Sequence, residues 1–159
     1  MISARQKVTA ALAFLLLLTL FSLRGFSHCE IPCGIYDDEM RIHMIDENIT
    51  TVEKSMKQIM ELSEHDRQNL NQIVRWVQNK EDHADEISHI VTQYFMTQRV
   101  KPVAEKDAKA YKEYVKKLTL LHEMMVYAMK SKQTTDLANV EKLRSLLASF
   151  KTAYFGTEG

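Results

Sequence analysis

A chain of 159 residues, 45% hydrophobic and 26% charged, has the composition of one globular domain and not of a disordered segment. Four glycines and two prolines are too few for a turn-rich β architecture, and two cysteines allow one disulfide or one metal site but no disulfide scaffold. The 21 basic and 21 acidic side chains cancel; setting aside Arg5, Lys7 and Arg24 of the first 27 residues, which hold no acid, leaves 18 against 21, a net of −3, with no basic stripe to mark a nucleic-acid surface.

Residues 1–27 read as a secretory leader. Arg5 and Lys7 precede an apolar run, Val8 to Leu23, interrupted only by Thr9, Thr19 and Ser22, and Arg24-Gly25-Phe26-Ser27 follows. Gly25 and Ser27 are small residues at the third and first positions before a cut between Ser27 and His28. The competing reading is an uncleaved anchor helix, for which the run is slightly short of the roughly 20 residues a bilayer takes. Cleavage leaves His28 as the first residue, a hook over 28–36 and a bundle over 37–159. The leader directs the chain to export or an organelle lumen.

The hook, His28-Cys29-Glu30-Ile31-Pro32-Cys33-Gly34-Ile35-Tyr36, holds both cysteines. With His28 at the terminus, its α-amine, its imidazole and the Cys29 backbone nitrogen lie within a few bonds of one another. Cys29 and Cys33 add two thiolates. One amine, one ionised amide and two thiolates lie naturally in a plane, which suits nickel(II); zinc prefers a tetrahedron. The imidazole is left over as an axial ligand. Pro32 fixes φ and curls the chain back, and Gly34 admits backbone geometry closed to other residues. Tyr36 follows where its hydroxyl can lie over the open face. On spacing alone, however, a Cys-x-x-x-Cys pair in an exported chain reads equally well as a small disulfide loop.

The fuller string, His-Cys-x-x-Pro-Cys-Gly-x-Tyr, resembles the nickel hook of the nickel-containing superoxide dismutases, matching at His28, Cys29, Pro32, Cys33, Gly34 and Tyr36. The resemblance implies disproportionation of superoxide to dioxygen and hydrogen peroxide through a Ni(II)/Ni(III) cycle, with one nickel ion per subunit. It implies His28, Cys29 and Cys33 as metal ligands, His28 and Tyr36 as the residues that act in catalysis, and a homohexamer of helical bundles. Better-known bacterial members carry a polar pro-segment cut by a dedicated protease. The apolar leader here departs from that pattern and needs its own leader-cleaving protease; the alternative is a cytoplasmic protein after pro-segment removal. The competing functional reading is an exported thiol hook that binds nickel or copper without turnover.

Past the hook the spacing predicts four helices. Asp37 and Asp38 cap the first, whose stripe is Ile42, Ile45, Ile49, Val52, Met56 and Ile59. Ser63 with Asp66 resembles a capping box opening the second, with Leu70, Ile73, Val77, Ala84, Ile87, Val91 and Tyr94 as its stripe. Lys80 interrupts that stripe and predicts a kink or frayed turn near Asn79 to Asp82. Pro102 ends the second helix and opens the third, whose face is Ala108, Tyr111, Val115, Leu118 and Met125. Thr135 caps the fourth, with Leu137, Val140, Leu147, Phe150 and Tyr154. Short connections make this an all-α, antiparallel up-down four-helix bundle carrying an N-terminal metal-binding hook.

Ligating histidines need a partner to hold the ring. His43, one turn into the first helix, and His83, beside Lys80, are candidates to hold His28; Tyr94 is a candidate to join Tyr36, and Glu30 to brace the hook. His122 falls near the core face of the third helix, while His65 and His89 read as surface or interface residues.

Overall fold

The computed structural model describes residues 34–64 and 69–156. The leader 1–27, the hook residues His28, Cys29, Glu30, Pro32 and Cys33, and also His65 and Asp66, lie outside the described residues. Four helices follow in order: α1 Asp38–Ser63, α2 Leu70–His89, α3 Ala108–Gln133 and α4 Ala138–Phe155. α2 continues directly into a π-helical segment, Ile90–Arg99. There is no strand among the described residues, and no described helix is long and apolar enough to cross a membrane.

Side chains that meet across neighbouring helices pair rising numbers with falling ones. Asp38, Asn48 and Ser55 of α1 meet Arg99, His83 and Asn79 of the second helix. Asp38 and Glu53 meet Tyr154 and Arg144 of α4, and Lys117 and Glu123 of α3 meet Tyr154 and Lys142 of α4. α1 packs on α2 and α4, and α3 packs on the same two. This is the antiparallel four-helix bundle expected from the stripes.

α1 starts because Asp37, extended at φ −136°, accepts from Met40 N at 2.9 Å, with Asp38 and Glu39 complementing the helix dipole. Its buried residues are the predicted Ile42, Ile45, Ile49, Val52 and Met56, joined by the polar Asn48 and Ser55. α4 likewise buries Val140, Leu147 and Phe150 as expected, with Leu143 and Leu146. It ends where Gly156 turns to φ +91°, its N–H donating to Thr152 O at 3.0 Å. Phe95 of the π segment and Phe150 of α4, both fully buried, meet edge to face at 5.0 Å in the core; burial stabilises each side chain by about 1.5–3 kcal/mol.

Four local expectations are corrected. Ser63 opens no capping box: it is the last residue of α1 and donates back to Ile59 O at 2.6 Å, while α2 begins after Asn69 without a side-chain cap. No kink falls at Lys80. The side chain is buried and its Nζ donates to the main-chain oxygens of Lys132, at 2.5 Å, and Thr134, at 3.1 Å, satisfying carbonyls that the end of α3 leaves without helical donors. Burial pulls the ammonium's pKa below the usual lysine value. Pro102 caps nothing; it is exposed in the loop, and Asp107 starts α3 by accepting from Ala110 N at 3.0 Å. Thr135 is not the cap of α4: Thr134 Oγ1 accepts from Asp136 N, and Asp136 in turn accepts from Ala138 N.

The predicted stripe of α2 fails at Leu70 and Val77, which are exposed, and the predicted face of α3 is displaced as well. Ala108 and Val115 are exposed, and the buried positions are Leu121, Met124, Ala128 and Ser131. Met and Tyr residues border that stripe on both sides, which blurs its phase. His122 is exposed and not a core residue.

Candidate functional site

The described chain begins at the last hook residues. Gly34 has φ +82°, the left-handed region that disfavours any side chain, and a Cβ there would meet nothing within 4 Å. The constraint at this position is therefore one of backbone conformation and not of space. Tyr36, two residues on, lies outside any helix and is 41% exposed.

Two groups hold its ring. The Arg99 guanidinium carbon is 4.3 Å from the ring centroid, and the Tyr94 ring meets it edge on at 6.0 Å. From Tyr94 the aromatic contacts run inward through Phe95, at 5.0 Å, to Phe150 and Tyr154. The partly exposed phenol at the last hook position is thus joined to the hydrophobic core by a continuous series of rings.

Asp38 ties this end of the bundle together. Arg99 grips it with both prongs, Nε to Oδ1 at 2.8 Å and Nη2 to Oδ2 at 2.7 Å. The Tyr94 hydroxyl donates to Oδ1 at 2.5 Å and the Tyr154 hydroxyl to Oδ2 at 2.9 Å. One carboxylate thereby joins α1, the π segment and α4. Burial alone would raise the Asp38 pKa; the donors Arg99, Tyr94 and Tyr154 outweigh it and hold the carboxyl below its ordinary value. Burial first, and then the bond to Asp38, push both phenols up, Tyr154 to about 12. Arg41 lies 5.1 Å from the Tyr94 ring centroid, and its buried Nε has no acceptor among the described residues.

The π segment makes this convergence possible. Val100 N donates to Phe95 O, and the Thr97 and Gln98 side chains donate five residues back, to Thr92 O and Gln93 O. In an α-helix of 3.6 residues per turn, positions five apart point about 140° away from each other. The wider i→i+5 turn brings them close to one face, so Tyr94 and Arg99 both reach Asp38.

Of the residues singled out in the sequence, Tyr94 is brought to Tyr36. His83 pairs with Asn48, Nδ1 to Oδ1 at 2.5 Å, ten residues and so about 15 Å along α1 from Asp38. It borders a cavity of about 550 Å³ together with Met44, Glu47, Asn48 and Glu86. His43 is exposed and lines a smaller hollow with Glu39 and Lys151. Asp38 and Arg99 were missed. The available signal was a second acid beside a sufficient cap, and an arginine spaced five residues from a stripe tyrosine.

Together, an antiparallel helical bundle and a short N-terminal approach bearing one histidine, two cysteines and a clamped tyrosine define a small helical redox metalloprotein. The profile of the family described as nickel-containing superoxide dismutase matches residues 24–158, hook and bundle alike, and the chain belongs to that family. It is a nickel-dependent superoxide dismutase, converting two superoxide ions and two protons to dioxygen and hydrogen peroxide. No curated protein and no solved structure is significantly similar to it.

Proposed function

We propose that removal of residues 1–27 exposes His28, and that His28, Cys29 and Cys33 hold one nickel ion per subunit. The donor set fits that ion: an amine, a backbone nitrogen and two thiolates would hold it, with the imidazole of His28 as a further donor. When bound, nickel supplies the one-electron Ni(II)/Ni(III) redox change that disproportionation requires. The chain supplies the rest. Its thiolates and amide stabilise the higher oxidation state, and Tyr36 presents a phenol hydroxyl to small anions at the mouth. Glu30 braces the hook by accepting backbone hydrogen bonds.

The observation that carries this reading is the placement of the nine-residue motif, matched at six positions, directly after a small-residue cut site, with its last position, Tyr36, packed by Arg99 and Tyr94. Sequencing the N-terminus of the mature protein and measuring its bound metal on the same sample tests it. A terminus upstream of His28 removes the amine ligand and overturns the assignment. His28→Gln is expected to retain nickel and lose most dismutation, and unchanged dismutation would remove the imidazole from the mechanism.

The leader further supports delivery to the secretory route or an organelle lumen, with a leader protease as processing partner. Leu70, Val74 and Val77, exposed along α2, support assembly of subunits, a hexamer by family likeness. Light scattering on the mature protein reads the assembly directly.

A further inference from the structure

We infer that Arg99, fixed by Asp38 at the π-helical end of the second helix, is the positioning residue for Tyr36 at the foot of the nickel hook. The inference rests on the hook assignment above. Tyr36 has no helix to hold it, since the backbone over residues 34–37 is turn and extended chain. What limits its ring is the Arg99 guanidinium on one face, 4.3 Å from the centroid, and the Tyr94 edge. A phenol three residues from a proposed sulfur ligand is useful only if its hydroxyl is held still.

Arg99 is itself rigidly held. Two parallel hydrogen bonds to Asp38 fix the plane of the guanidinium, whose central carbon lies over the Tyr36 ring. Asp38 stands in the first turn of α1, where two tyrosine hydroxyls also donate to it. The order of support therefore runs from the bundle to Asp38, from Asp38 to Arg99, and from Arg99 to Tyr36. A lysine in place of Arg99 would keep the charge but lose both the fork and the flat face. This separates positioning from simple attraction of an anionic substrate, which only needs the charge.

The test uses the mature chain and the substitutions Arg99→Gln, Arg99→Lys, Tyr36→Ala and Tyr36→Ala with Arg99→Gln. Nickel content, kcat and KM for superoxide are measured, and the Tyr36 ring resonances are followed in the nickel-free chain by tyrosine-labelled NMR. Arg99→Gln is expected to keep nickel, shift and broaden the Tyr36 ring signals, and lower kcat/KM by roughly tenfold, the scale of one lost cation–π contact and its orientation. Arg99→Lys is expected to stay low, and Arg99→Gln to add nothing once Tyr36 is alanine. Recovery of activity by lysine, an equal further loss in the Tyr36→Ala background, or unmoved Tyr36 resonances would each overturn the inference. If Arg99→Gln does not fold, Arg99→Lys decides by the same ring signals. A wild-type chain that takes no nickel defeats the hook assignment alone, because the resonances still report whether Arg99 holds Tyr36.

Discussion

Removing the Asp38 carboxylate is the sharpest test of how the hook end of the bundle is held. Asp38→Ala leaves the Arg99 guanidinium and the Tyr94 and Tyr154 hydroxyls without their shared acceptor. Hydrogen bonds to a charged group contribute about 1.5–3 kcal/mol each when made in the interior. Here the Asp38 and Arg99 side chains keep 16% and 28% of their exposure, so water recovers part of the loss. A net destabilisation of about 3 kcal/mol follows, which for a domain of this size lowers Tm by roughly 10 °C. Thermal unfolding at neutral pH, followed by far-ultraviolet circular dichroism, measures it. The control is Asp37→Ala, which removes only the helix cap and is expected to cost about 1 kcal/mol. If Asp38→Ala melts within a degree or two of the wild type, or Asp37→Ala costs as much, Asp38 is no more than part of a helix start and the reasoning fails.

The same network fixes the pH response. Tyr94 and Tyr154 have raised pKa values, so their contribution is complete below the unfolded value of about 10 and is lost as pH rises through the folded ones, about 12 for Tyr154. Alkaline titration followed by tyrosinate absorbance is expected to show two late-ionising phenols that move to lower pH in Asp38→Ala. Asp38 is depressed, so its contribution is present above the unfolded value of about 3.9 and disappears as pH falls through its lower folded value; melting curves taken into acid should show it. Phe150→Ala, in the fully buried centre of α4, is expected to cost about 3–5 kcal/mol by chemical denaturation. Stripping nickel with a chelator is expected to abolish dismutation while leaving the helical dichroism intact, because the core is formed by Ile42 to Phe150 without any hook residue. Loss of helix on chelation would show that the metal supports the bundle.

The stripes of α1 and α4 were legible because each is a run of branched aliphatic residues at steps of three and four, with charge on the remaining faces. α3 was less legible because Tyr111, Tyr114 and Met125 half-bury on its flanks, and amphipathic side chains of that kind mark both core and border. Lys80 was misread for a different reason. A charge in a stripe usually signals exposure, but the acceptors that satisfy this one are main-chain oxygens some fifty residues away, which no local pattern records. The π segment was likewise hidden: periodicity over Ile87, Val91 and Tyr94 fits an α-helix, and the wider turn shows only in the i→i+5 bond from Val100 N to Phe95 O and in the convergence of Tyr94 and Arg99 on Asp38. The hook was legible as chemistry because its residue types are rare and closely spaced.

The buried ammonium of Lys80 has one more effect. Sliding the second helix past the third by a single turn would carry Nζ about 5 Å from both carbonyls and leave a buried cation without its acceptors. Neighbouring apolar side chains are similar enough to tolerate such a slip; this one is not. Lys80 therefore acts as a peg that sets the register of one half of the protein against the other, and the level at which the far end of that same helix delivers Arg99 is set with it.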